Sequence, residues 1–275
     1  MPIITLSSDI GNNDFIVSAI KGQLLHINPF LNLVDISHTL SNKNFFQVGY
    51  ICGNAIPHFP AETIHLILVN TFSTEKLSFV VAKHNNQYII CPNNGLISML
   101  TNGTPLEYAI FSFASATTIN TLIITEKIIE IIKGIYANTS NSIKRSTTVP
   151  LVEKYNLKPL TNDAWLQCQI IWVDNFKNIV LNITKELFEQ VRKGRRFEIA
   201  LTNRTVINKI SEHYAERPSG EAVAWFNAAN YLELAIVDGE LAPLFGFKDF
   251  SENTASRGLK TDLAYKVIKI FFYEV

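Results

Sequence analysis

Cysteine is scarce: Cys52, Cys91 and Cys168 are the three in 275 residues. Odd in number and widely spaced, they form neither a disulfide framework nor a metal pattern. A reducing, cytoplasmic setting fits best. Excess charge of either sign is also missing, with 24 basic and 24 acidic residues. No basic field is available for nucleic acid, and no polybasic run for a membrane surface. No apolar run approaches the ~20 residues needed to span a bilayer. No signal peptide is expected, since Met1-Pro2 leads directly into a strand pattern. Neither G-x-G-x-x-G nor G-x-x-x-x-G-K-[ST] occurs, which argues against a pyrophosphate cradle. No two histidines have metal-ligand spacing, so no metal is expected. Repeats and low-complexity tracts are absent.

Apolar residues make up 47% of the chain and charged residues 17%, enough for a large buried core. Strand-like and helix-like runs alternate through the first half. Residues 3–7 read as a strand, 14–27 as a helix and 31–37 as a strand. A helical stripe through Phe45, Val48, Ile51, Cys52 and Ala55 stops at Pro57. "TIHLILVN" (63–70) reads as a strand buried on both faces. "LSFVVAKHNNQYIICP" reads as a hairpin turning at Asn85-Asn86, and "NNGLISML" as a loop entering a helix. This alternation predicts an α/β domain with a mostly parallel sheet flanked by helices. Residues 139–163 are polar and irregular and read as a linker or crossing segment. Strands then dominate: "QCQIIWVDNF", "NIVLNIT", "RRFEIAL", "TVINKISEHY", "EAVAWFN", "YLELAIVDG" and "LAYKVIKIFFYEV". One helix interrupts them over 185–193, capped by Thr184 and stopped by Gly194. The expectation is two domains, α/β over 1–160 and an all-β barrel or sandwich over 161–275.

The chemistry concentrates in loops. "SSDIGNNDF" follows the first strand, where ligands of open parallel sheets bind. Asp9 there can accept hydrogen bonds from two adjacent hydroxyls, as in a ribose. Gly11 permits a close backbone approach. Asp14 reads equally well as a ligand contact or as the cap of the following helix. Similar loops follow at Asn70-Thr71-Phe72-Ser73-Thr74-Glu75 and at Pro92-Asn93-Asn94-Gly95. The amide of Asn94 suits a purine edge or an amino-acid group, although Asn-Asn-Gly is also an ordinary turn. In "VDNFKNIVLNI", Asp174, Phe176 and Asn178 occupy alternate positions. Such a set suits an adenine, or else closes a hairpin. His65, within an apolar strand, reads as a hydrogen-bonded core residue, and His38 as a loop residue of either kind. His26, His58, His84 and His213 read as surface residues.

These segments, in this order, resemble the adenosine-forming S-adenosyl-methionine (SAM) hydrolases, or SAM hydroxide adenosyltransferases, and the related fluorinase and chlorinase. Ser7-Ser8-Asp9-Ile10-Gly11-Asn12-Asn13-Asp14-Phe15-Ile16-Val17 with Lys21-Gly22 is similar to T-T-D-F-G-x-x-D-x-Y-V-x-x-x-K-G. Val34-Asp35-Ile36-Ser37-His38 is similar to V-D-I-[ST]-H. "FPAETIHLILVN", "CPNNGLISML", "IIWVDNFKNIVLNIT" and "FNAANYLELAIVDGELAPLFGF" carry the likeness through the rest of the chain. The resemblance implies SAM as substrate, no cofactor, and a homotrimer binding SAM between the N-terminal domain of one subunit and the C-terminal domain of its neighbour. A nucleophile attacks the ribose C5′ and methionine leaves. Asp9 would hold the ribose, with Asp14 and Asn94 nearby. Asp174, Phe176 and Asn178 would surround the nucleoside, with Asn227 and the stretch to Glu233 completing that side.

The sequence departs from the family where water is activated. The hydrolases use an Asp, an Arg and a His. Asn70 stands at the Asp position, Lys76 is the nearest residue to the Arg, and residues 119–134 contain neither His nor Arg. An amide cannot act as the base. Three readings follow: a hydrolase in which Lys76, Glu126 or a histidine from elsewhere substitutes, a SAM- or adenosine-binding protein without turnover, or a halide-using enzyme.

Overall fold

The computed structural model describes residues 3–73, 77–113, 120–137, 149–201, 205–244 and 267–274. The chain forms two compact units, residues 1–156 and 157–275.

The first unit contains β1 (Ile3–Ser8), α1 (Ile16–Leu25), β2 (Asn32–Ser37), α2 (Phe45–Ala55), β3 (Ile64–Leu68), β4 (Ser78–His84), β5 (Gln87–Pro92), α3 (Leu96–Leu100), β6 (Glu107–Ser112) and α4 (Thr121–Tyr136). The six strands lie in the order β2-β1-β3-β5-β4-β6. β1, β2, β3 and β5 run parallel, and β4 is antiparallel to both β5 and β6. The sheet is therefore mixed and mostly parallel. Its antiparallel member follows from Asn85 and Asn86, whose φ angles of +50° and +60° suit a two-residue hairpin turn. All of β3 is buried, and its side chains alternate between two cores. Ile64, Leu66 and Leu68 pack with Ile20, Leu24, Ile128 and Ile132 of α1 and α4. Ile67 and Val69 pack with Val48, Cys52, Leu96 and Ile97 of α2 and α3. Helices thus cover both faces, as a parallel sheet requires.

Residues 149–156 dock onto this unit instead of linking freely. Asn93 accepts from the Val152 N–H (2.9 Å) and donates to the Pro150 carbonyl (3.0 Å). Asn156 donates to the Met99 carbonyl (2.9 Å). The expected linker residues 139–148 lie outside the described residues.

The second unit contains β7 (Leu160–Thr161), β8 (Trp165–Val173), β9 (Ile179–Thr184), α5 (Lys185–Arg192), β10 (Arg196–Ala200), β11 (Val206–Ile207), β12 (Ala222–Phe226), β13 (Tyr231–Ile236), α6 (Leu241–Leu244) and β14 (Val267–Tyr273). Its antiparallel sheet runs β11-β10-β14-β8-β9-β13-β12, with β7 beside β8. The Ser211 N–H donates to the Ala224 carbonyl (2.7 Å), drawing the two ends of that order together. The result is a nearly closed barrel. Helix α5 is capped by the Thr184 hydroxyl, which accepts from Leu187 N–H, and ends with Lys193 and Gly194 in the left-handed region. Phe188 of α5 is fully buried, with ring centres 5.2 Å from Phe197, 5.6 Å from Phe226 and 6.1 Å from Phe272.

Some elements differ from the sequence pattern. "TVINKISEHY" makes only the short β11, because the backbone leaves the ladder at Ile207 to reach β12. Strand β6 has no counterpart in the sequence reading; its identity comes from pairing with β4. Helix α1 begins at Ile16, two residues after the expected start.

Truncating Phe188 would leave a cavity where four rings meet. Phe188→Ala is expected to cost about 3–5 kcal/mol, read as a lowered denaturant midpoint. A loss below about 1 kcal/mol would contradict a close-packed barrel interior.

Candidate functional site

β1, β3 and β5 are neighbours with parallel direction, so the loops after them converge at one sheet edge. They carry Asp9, Asn70 and Asn94, three of the residues singled out by sequence. Asp9 is half-buried, and its Oδ2 accepts from the backbone N–H of Asn70 at 2.8 Å. Burial raises the Asp9 pKa above the usual carboxylate value, while the Asn70 N–H opposes the shift. Asn70 adopts φ +50°. Asn94 is buried and donates to the carbonyls of Val69 (3.0 Å) and Asn70 (3.3 Å), while its Oδ1 accepts from Leu96 N–H (3.3 Å). Asn94 therefore fixes the Asn70 loop.

A chain of polar groups fixes Asp9 from the other side. The Lys21 ammonium lies 2.5 Å from Asp35 Oδ2, and Asp35 Oδ1 lies 3.0 Å from His38 Nε2. His38 Nδ1 in turn meets the Ser8 hydroxyl at 2.8 Å. Burial pushes the Asp35 carboxyl up, but Lys21 and His38 outweigh it and hold it below its ordinary value. An ionised Asp35 favours His38 with hydrogen on Nε2, leaving Nδ1 to accept from Ser8. Backbone bonds reinforce the link: Gly11 N–H donates to His38 O (2.7 Å) and Leu40 N–H to Ser8 O (3.1 Å). Gly11 has φ +86°, a conformation glycine adopts without steric cost. His65 is separate. It is fully buried, bonded to Thr5 at 2.8 Å, and pushed down to about 4 by burial, so it is a neutral core residue.

Asn70 also lines a cavity of about 400 Å³ with Phe45 and Phe46 of α2, Met99, Lys154 and Tyr155. Lys154 is a residue the sequence reading missed. Its ammonium sits 4.1 Å from the centre of the Phe45 ring. The Ser98 hydroxyl donates to its carbonyl (2.7 Å) and accepts from its N–H (2.9 Å). Gly95 (φ +101°) makes room for its stem, since a Cβ there would come within 2.5 Å of Lys154 Cγ. No local pattern marks Lys154; only the fold brings it to Asn70. The two other groups considered for water activation are not found there. Lys76 lies outside the described residues. Glu126, on α4, is 3.4 Å from the Gln23 amide and does not line this cavity. Asp14 is exposed, and its Oδ1 accepts from the next N–H, Phe15, at 2.6 Å. It does not cap the first turn of α1.

In the second unit, "VDNFKN" forms the turn between β8 and β9. Asp174 Oδ1 accepts from the N–H groups of Phe176 (2.9 Å) and Asn178 (2.8 Å). Asp174 thus closes the hairpin, and the same turn presents Phe176, 76% exposed, to solvent. The Asn178 amide spans two carboxylates, Asp174 Oδ2 at 3.0 Å and Glu233 Oε1 at 3.3 Å. Asn227 donates to Glu233 Oε2 at 2.8 Å. Asp174, Asn178, Asn227 and Glu233 are therefore one network. Burial raises the Glu233 pKa, the amides of Asn227 and Asn178 oppose it, and the Asp174 charge adds to it. Asp174, Phe176, Asn178 and Glu233 line a cavity of about 720 Å³ with Trp225 and Tyr214. Those two rings pack edge-to-face at 5.8 Å. Both were missed by sequence, where a strand aromatic is indistinguishable from core. Among the described residues, no group of His, Cys, Asp and Glu is placed to hold a metal ion, and no helix is long and apolar enough to cross a membrane.

Comparison with known proteins shows which family and fold the chain shares. Residues 4–129 match the SAM hydroxide adenosyltransferase N-terminal domain and residues 168–252 the C-terminal domain. The chain is 34% identical over 103 residues to the (R)-S-adenosyl-L-methionine hydrolase of Methanocaldococcus jannaschii. That match covers 36% of this chain and 39% of the relative. An uncharacterized conserved protein from Thermotoga maritima shares the fold, with TM-score 0.74 at 18% identity over 98% of this chain and 99% of that one. A conserved hypothetical protein from Thermus thermophilus does too, with TM-score 0.68 at 17% identity over 99% and 100%.

The Glu233 network makes a signed prediction. The folded state holds this proton more tightly than the unfolded state, so its contribution to stability falls as pH rises above the ordinary carboxyl range. Glu233→Gln removes the charge but sets an amide against a neighbouring donor. Its stability relative to wild type is expected to improve as pH rises from the ordinary carboxyl range toward neutrality in urea titrations. A difference that is flat with pH would contradict a proton held at Glu233.

Proposed function

The chain belongs to the SAM hydroxide adenosyltransferase family, and from that premise we propose that it hydrolyses SAM to adenosine and L-methionine. Water or hydroxide attacks the ribose C5′ while the C5′–S bond breaks. The pair of the breaking C5′–S bond goes to sulfur, methionine leaves as a neutral thioether, and, where water is the nucleophile, its proton passes to solvent or a nearby base. No acid is needed for this leaving group, so positioning supplies most of the catalysis.

The observation carrying this reading is Asp9, held at the end of β1 by Asn70 and the Ser8–His38–Asp35 chain. A carboxylate has about four acceptor positions, and Asn70 takes one at Oδ2. The remainder suits paired ribose hydroxyls. The network of Asp174, Asn178, Asn227 and Glu233, with the exposed Phe176 ring, suits an adenine edge and face. The assembly proposed is a homotrimer, with the second unit of a neighbouring copy completing each site. Three free, buried cysteines accord with a cytoplasmic protein.

A second reading rests on Asn70. An amide there cannot take a proton from water, and a positioned base contributes about 10²–10⁴ in rate. The alternatives are SAM or adenosine binding without turnover, and attack by a halide, which needs no deprotonation.

Incubation with SAM, with and without chloride or fluoride, followed by chromatography separates these. Adenosine and methionine in equal amounts are expected. A 5′-halo-adenosine would replace hydrolysis by halide transfer, and binding without product would leave a binding protein. No binding at all would defeat the proposal. Asp9→Ala is expected to lower kcat/KM about 100-fold or more through lost charge-assisted bonds. Light scattering tests the trimer.

A further inference from the structure

We infer that the cavity beside Asn70 binds a monocarboxylate with an apolar body, and that Lys154 is the residue selecting its charge. The lining is two-sided. Phe45, Phe46 and Met99 supply apolar surface, while Lys154 and Lys43 supply ammonium groups. No carboxylate appears among the described lining residues. Lys154 has no ion-pair partner among the described residues, although part of it is desolvated and its pKa is lowered by that burial. Its one charge-type contact is the Phe45 ring, which satisfies a cation on one side and leaves ammonium donors for another acceptor. A carboxylate is that acceptor.

The position of Lys154 is set before any ligand arrives. Ser98 grips its backbone from both sides, and the absence of a side chain at Gly95 seats its stem. Lys154 is exposed, but its backbone and the base of its stem are already placed, so part of the ordering that binding needs is made in advance. Volume argues for an organic acid over a simple ion. A water-sized anion takes roughly 30 Å³, whereas the cavity holds about 400 Å³ bounded by two phenyl rings and a thioether. An acid of amino-acid size with an apolar chain fills it better. Two sources share this chemistry: the amino-acid half of a SAM-like substrate, and a separate acid without an α-amine. The inference does not depend on SAM turnover.

The test is calorimetric titration of the full-length protein with 4-(methylthio)butanoate, L-methionine, 3-(methylthio)propylamine and sodium chloride. Both carboxylates are expected to bind and the amine not to bind. Stronger binding of L-methionine assigns the site to the amino-acid half of a substrate, and stronger binding of the des-amino acid assigns it to a separate acid. Lys154→Met should weaken the carboxylates about tenfold or more, and Lys154→Arg should retain them within about threefold. Lys43→Ala should cost less than Lys154→Met, because the Lys154 stem is seated against Gly95 and its ammonium against the Phe45 ring. The inference is overturned if the amine binds as well as the acids, if chloride alone competes for the site as tightly, if neither acid binds, or if Lys154→Met binds like wild type. The wild-type comparison of acid with amine needs no variant to fold. Failure of SAM cleavage with the acid binding intact would sink the proposed reaction and leave this site standing.

Discussion

The bond from the Asn70 N–H to Asp9 Oδ2 is the constraint on which the first unit's loop edge depends. A half-buried carboxylate is costly unless donors meet it. Here the donor is supplied by sheet register. Ser8 pairs with Leu68, so the chain leaves β1 and β3 at the same level. Asn70 then turns into the left-handed region, which points its N–H toward Asp9. That conformation costs of order 1 kcal/mol for a non-glycine residue, and a charge-assisted bond of about 1.5–3 kcal/mol offsets it.

The same edge is braced from β2. Strand β2 is an outer strand with a largely exposed face, the weakest place in the sheet to anchor a site. Lys21, Asp35 and His38 convert it into a support by passing a chain of polar contacts inward to Ser8, the residue before Asp9. Buried histidine is tolerated because both ring nitrogens have neighbours. In the second unit, Asn178 does comparable work by bridging two carboxylates that would otherwise repel. Both loops therefore hold acidic groups by surrounding them with donors fixed to strands, and strand ends give the precision a binding geometry needs.

Much of this was legible in sequence. The hairpin at Asn85-Asn86, the buried β3, the α5 cap at Thr184 and the Asp9 loop each follow from local pattern, because the physics that decides them spans only a few residues. Lys154 was not legible. Its meaning comes from Gly95 and Ser98, more than fifty residues away in the chain. Strand β6 was missed because its pattern is weak and its pairing with β4 makes it a strand. "TVINKISEHY" was overread because β-branched residues favour strands only where a partner is present. Asp174 shows a third case: the turn reading holds, since one oxygen closes the hairpin, and the other oxygen meets Asn178 at the cavity wall, which leaves the binding reading open to it.

Asn70 makes the structural and chemical demands on one residue separable. Its backbone N–H serves Asp9 and its carbonyl serves Asn94. Both roles belong to the main chain and are made with Asn70 in the left-handed conformation, which asparagine adopts more readily than most residues. The fold therefore accounts for asparagine at this position without any appeal to catalysis. It follows that exchanging a carboxylate for an amide at this position leaves the main-chain scaffold of the loop available while removing a candidate base. The loop's framework and its proton chemistry are independent variables, so an intact Asp9 environment is compatible with hydrolysis, halide use or binding alone. What distinguishes them must lie in the groups around Asn70, and among the described residues Lys43 and Lys154 put positive charge on the wall of the same cavity.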